Sequence, residues 1–72
     1  MANVTRTLNQ ATNVVTYVIT DTVSNTATLV VSPTNAAAKG DYSTALSGGP
    51  LRQDGMQALA QLALAIGAGQ VP

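Results

Sequence analysis

The side chains that could do chemistry are few and widely spaced. The 72-residue chain contains no His and no Cys, and its acidic residues are Asp21, Asp41 and Asp54, with no Glu. Nucleophilic catalysis needs Ser, Thr or Cys beside a base. The bases on offer are these isolated aspartates and Lys39. Lys39-Gly40-Asp41-Tyr42 is the one charged cluster, and it reads as a solvated loop tip. No pair of carboxylates falls at helical or strand spacing. Neither thiolate nor imidazole is available for zinc, and a hard-cation site wants a dense run of oxygen ligands that is missing here. These observations set the expectation of no catalytic residues, no metal, no cofactor and no small-molecule ligand. The chain is expected not to be an enzyme.

Three further patterns resolve in the same direction. Gly48-Gly49-Pro50 before a helix has the outline of an anion-binding helix start. Pro50 removes one of the amides that would bind, and no Walker-type lysine follows, so the segment reads as a loop-to-helix hinge. Thr-x-Thr recurs at Thr5–Thr7, Thr20–Thr22 and Thr26–Thr28. Its irregular spacing expresses β-propensity and not an ordered hydroxyl ladder. Arg6, Lys39 and Arg52 are dispersed, and only Tyr17 and Tyr42 could stack on bases. Specific nucleic-acid binding, which needs clustered cations, is therefore not expected.

The elements that would position these residues follow from composition. Residues 3–32 are rich in Thr, Val and Asn. The β-branched residues favour strands, and Asn favours turns. Three strands are expected, at about Val4–Leu8, Val14–Thr20 and Ala27–Ser32. Asn9–Asn13 and Asp21–Asn25 form the turns, and Pro33 ends the third strand. By the period of two, Val15, Tyr17 and Ile19 share one face with Leu29 and Val31. Val14, Val18 and Val30 lie among hydroxyls on the other, a more apolar face than solvent contact alone requires.

Ser32–Gly49 reads as a long connection, with Asn35 able to cap a single turn through Ala36–Ala38 that stops at Gly40. A helix is expected from near Pro50 to about Ala68, or alternatively from Asp54 as its cap. Leu51, Leu59, Leu62 and Ile66 form its apolar stripe. Gln53, Gln57 and Gln61 form a neutral ridge opposite, with Leu64 among them. Gly55 within the helix costs about 1 kcal/mol relative to Ala.

The expected fold class is thus α+β: a small antiparallel three-stranded β-meander (1–32), an extended loop or arm (33–49), and one C-terminal amphipathic helix with its tail (50–72), in a single domain. The expected core is Val15, Tyr17, Ile19, Leu29, Val31, Leu51, Leu59, Leu62 and Ile66. The expected interface is Val14, Val18, Val30, Gln53, Gln57, Gln61 and Leu64.

Charge and size argue for assembly. Charged residues make up 8% of the chain and the formal net charge is zero, against about 25% charged residues in an ordinary soluble domain. Domains near zero charge tend to associate. A chain this short buries only about 60% of its unfolded surface, so small domains commonly need disulfides, metal or oligomerisation. Cys and His are absent, which leaves oligomerisation or docking onto a partner. The N-terminal Met1-Ala2-Asn3-Val4-Thr5 lacks a basic patch followed by an apolar core, so no secretory signal is read there, and the Asn-Val-Thr triplet carries no glycosylation expectation. The apolar tract from Met56 to Ala68 is shorter than the roughly 20 residues of a membrane span.

A Met-Ala start, abundant Thr, Asn, Val and Ala, no Cys, His or Trp, and β-turns followed by an Ala-Leu helix together resemble small bacteriophage virion structural proteins. The resemblance lies in the overall character of the chain, and no family residue role transfers by position. It implies a capsid cement or decoration protein, binding copies of itself and a larger capsid protein within a virion assembled in the host cytoplasm. The coat proteins of small RNA phages, with an antiparallel sheet followed by helices, are the second member of the comparison. Those chains are longer and carry a basic RNA-facing surface, so the cement type is preferred. The alternative outside this class is a small cytosolic adaptor or regulatory protein-binding module.

Overall fold

The computed structural model describes residues 2–33 and 42–68. Four strands and one helix follow in chain order: β1 (Asn3–Asn9), β2 (Val14–Thr20), β3 (Thr26–Pro33), β4 (Tyr42–Gly48) and α1 (Gln53–Gly67). Each strand pairs antiparallel with the next, giving the sheet order β1-β2-β3-β4. The fold is α+β, a four-stranded antiparallel sheet with one C-terminal helix packed on its apolar face.

The fourth strand corrects the expectation of three strands followed by a loop from 33 to 49. Within Tyr42–Gly48, small residues and a glycine mask any hydrophobic alternation. The segment becomes a strand through its partner: Leu46 lies opposite Leu29, Thr44 opposite Val31, and Tyr42 opposite Pro33. Cross-strand packing decides β-structure more than intrinsic propensity does. The capped turn expected at Asn35–Gly40, and Lys39, Gly40 and Asp41 of the charged cluster, lie outside the described residues. Tyr42 opens β4 and packs partly buried against the core.

Local chemistry sets the hairpin turns. At the first, the Asn13 N–H donates to the Asn9 carbonyl at 2.7 Å and the Asn9 side chain accepts from the Ala11 N–H at 3.0 Å. Asn13 takes a left-handed φ of 58°, which its short amide tolerates. Gly48 ends β4 with φ +87°. A Cβ there would sit 2.8 Å from the Thr26 carbonyl oxygen, so only glycine fits. Gly48→Ala is expected to destabilise by about 2 kcal/mol, combining a positive-φ penalty with the clash. Gly67→Ala, with open space around its Cβ position, is expected to gain about 0.5 kcal/mol from helix propensity. Urea midpoints of the two variants should move in opposite directions.

The helix starts at Gln53, between the two expected starts near Pro50 and after Asp54. Gly49-Pro50 is a cis peptide, Leu51 lies outside the helix, and Arg52, extended, occupies the N-cap position without a side-chain cap bond. Asp54 falls in the first turn, where its charge complements the helix dipole, and not at the cap. Pro50 suits a first helical position, but here the chain must first cross from the edge strand β4 back over the sheet. At the other end, the Ala68 N–H returns to the Leu64 and Ala65 carbonyls, closing α1 at Gly67.

The core lies between α1 and the two central strands. Val15, Tyr17, Ile19, Leu29, Val31 and Ile66 are buried together, and Leu51, Leu59 and Leu62 pack partly buried against them. Of the nine expected core residues, six are buried in this cluster and three pack partly buried against it. Ala27 is also buried in the sheet and Ala58 also packs in from the helix.

Candidate interaction surfaces

The functional question turns on what the two layers leave uncovered. Four strands spaced about 4.8 Å apart place the outer strands about 14 Å from one another, whereas one helix with its side chains is about 10 Å wide. A single helix therefore covers the two central strands and leaves the inner faces of β1 and β4 open. Val4 and Leu8 on β1 register opposite the buried Ile19 and Val15, yet remain 44% and 41% exposed. Leu46 on β4, opposite buried Leu29, is 56% exposed.

The far face of the sheet carries no helix among the described residues. Its register rows run Thr5–Val18–Thr28–Ser47 and Thr7–Thr16–Val30–Ala45. Among the described residues no charged one stands on this face, because Arg6 registers opposite Tyr17 on the helix side. Val14, Val18 and Val30 are half-buried here among hydroxyls. The outer surface of α1 is a third region. Gln53, Gln57 and Gln61 are exposed, Leu64 is 75% exposed and Met56 51%. The expected interface residues therefore divide between two surfaces on opposite sides of the molecule. Val14, Val18 and Val30 belong to the open sheet face, and the glutamines with Leu64 belong to the helix.

Three of the four charged residues among those described, Asp21, Arg52 and Asp54, belong instead to the junction of the β2–β3 turn and the start of α1. Asp21 is 5% exposed and buried in this junction. One carboxylate oxygen accepts from the Val23 N–H at 3.0 Å and the Asn25 N–H at 2.9 Å. The other accepts from the Asn25 side-chain amide at 3.0 Å and from the Arg52 N–H at 2.8 Å. Burial opposes ionisation, but the donated bonds, led by that from Arg52, outweigh it and hold the Asp21 pKa at about 2. The Thr22 hydroxyl donates to Asp54 at 2.6 Å and holds that carboxyl below its ordinary range. Gly55 permits this approach, since a Cβ on it would stand 3.1 Å from the Cβ atoms of both Asp21 and Leu51. The helix glycine that costs propensity thus sits in a close contact that an added Cβ would crowd.

This junction is a structural latch. Asp21 has its oxygens committed to four donors, which suits an anchor. It ties the turn to the helix start, 31 residues away in sequence. Sequence reasoning read Asp21–Asn25 as a turn but missed the long bond to Arg52; the signal present was Asp followed by Asn four positions later, a turn-closing pair. Among the described residues, no three or more His, Cys, Asp or Glu come together. No helix of the described residues is long and apolar enough to cross a membrane. Comparison of the chain with protein-family models, curated proteins and solved structures finds no match.

Proposed function

We propose that this chain is a non-catalytic structural subunit that works by packing against copies of itself and against a larger shell protein. The observation that carries the reading is the coexistence of two uncharged surfaces on opposite sides of one small two-layer unit: the hydroxyl-valine sheet face and the glutamine ridge around Leu64. A free-standing domain protects such surfaces with Lys and Glu. A subunit held between neighbours is protected by the neighbours, and scattered exposed apolar side chains become contacts. The compositional resemblance to small bacteriophage virion proteins supplies the setting, a capsid cement or decoration role, with a small coat subunit as the nearest variant.

Leu64→Glu tests this. Leu64 is 75% exposed on its own helix, and Glu is a good helix former, so the isolated chain should keep its circular dichroism and its stability within about 0.5 kcal/mol. An unpaired carboxylate buried in a contact costs about 3 kcal/mol, which weakens assembly roughly 100-fold. Light scattering of the variant should show smaller species than the parent. An unchanged particle would remove the helix face from the interface.

A further inference from the structure

The two uncharged surfaces leave the sheet edges as a further route by which one copy can meet the next. We infer that two copies join edge to edge through β4, continuing their sheets into one antiparallel sheet about a twofold axis at Ala45. This inference rests on the assembly reading and adds to it the partner, the strand and the register.

The hydrogen-bond pattern of β4 defines the occupant. The Gly49 N–H donates to the Thr26 carbonyl at 2.8 Å. Antiparallel ladders alternate bonded and non-bonded pairs, so with the register of β3 on β4 residues 43, 45 and 47 bond inward to β3. Thr44 and Leu46 then turn their backbone N–H and C=O groups outward, where no strand of the described residues lies. Such a row is satisfied by another strand. Strand Tyr42–Gly48 contains no charge and no proline to repel one.

The sequence of β4 is compatible with itself. With Ala45 opposite Ala45 of a second copy, Thr44 meets the second copy's Leu46 as a bonded pair, and Ser43 meets its Ser47 on the open face. The two Leu46 side chains fall on the helix side as diagonal neighbours, within reach of each other. Each is 56% exposed in the single chain. The twofold axis runs perpendicular to the sheet, so both helices stay on one side and both uncharged faces merge on the other. The opposite edge suits this less. Pairing β1 with itself over its full length places Arg6 against Arg6, and like charges directly opposed are unfavourable. Pairing β1 with β4 offers Arg6 no carboxylate.

The chain has no cysteine, so a single introduced thiol reports the contact cleanly. Ala45 is exposed, and a non-bonded antiparallel pair holds its Cα atoms about 4.5 Å apart, within disulfide range. Mild oxidation of Ala45→Cys should give a covalent dimer on a non-reducing gel that dithiothreitol reverses, while Thr7→Cys stays uncross-linked. Thr44→Pro removes an outward N–H and no bond to β3, so the fold should persist by circular dichroism while dimer affinity falls at least tenfold. An assembled parent whose Ala45→Cys variant does not cross-link overturns edge pairing through β4 while leaving the assembly reading intact. Cross-linking only in a mixture of Thr5→Cys and Ala45→Cys chains overturns it in favour of β1 on β4. A parent that is monomeric at every concentration overturns both.

Discussion

Replacing Asp21 with Ala should lower the thermal midpoint on the order of 10 °C, the largest effect of any polar substitution in this chain. The substitution strands the backbone N–H groups of Val23, Asn25 and Arg52, which all donate to this one carboxylate. It also cuts the link between the β2–β3 turn and α1, whose first turn has no side-chain cap of its own. Asp21→Asn keeps an acceptor and should fall less. The same group predicts an acid transition. The folded pKa of Asp21 is depressed to about 2 from the ordinary 3.8. The unfolded chain therefore takes up its proton first as pH falls, and the stabilisation is complete above pH 3.8 and lost between there and about pH 2. Asp54, also lowered, acts with the same sign. Denaturant midpoints measured from pH 6 to pH 2 should drop steeply at the acid end for the parent, and much less for Asp21→Asn. A parallel fall in both would show that the latch does not carry the ionised charge assigned to it.

The second large effect is expected at Ile19. It is fully buried, with Val4 on one neighbouring strand and Ala27 on the other. Ile19→Ala removes methylenes that the surroundings cannot refill, at about 4 kcal/mol. A domain of this size has total stability of only about 4–10 kcal/mol, so the isolated variant should be largely unfolded or molten at 37 °C. Ile19→Val should cost about 1 kcal/mol. Urea unfolding followed by circular dichroism separates the two. A loss below 1 kcal/mol for the Ala variant would mean that the core is not closed over this residue.

How much of this was legible in the sequence depends on which force shapes each element. The alternation through Val15, Tyr17 and Ile19 is a local pattern tied to burial, so β2 and its inward face could be read directly, as could the Leu59–Leu62–Ile66 stripe of the helix. β4 could not, because Ser43, Thr44 and Ala45 carry no period and the strand exists through its pairing with Leu29 and Val31. The start of α1 has a similar origin. Pro50 signals a helix start locally, but the anchor that sets the entry is a bond donated by the Arg52 N–H to Asp21, remote in sequence. The candidate surfaces were half legible. Uncharged residues on each element were visible, but their division between opposite sides of the sheet, and the exposure of Val4, Leu8 and Leu46 beside a helix too narrow to cover them, arise only from the assembled layers.

The most direct test of the central claim is the native mass of the unmodified chain, measured by light scattering across a dilution series after gentle purification. The account predicts a defined oligomer or larger particle built from pairs of chains, dissociating only at low concentration. A species of single-chain mass at every concentration would contradict it, and would leave the two uncharged surfaces without the neighbours assigned to them.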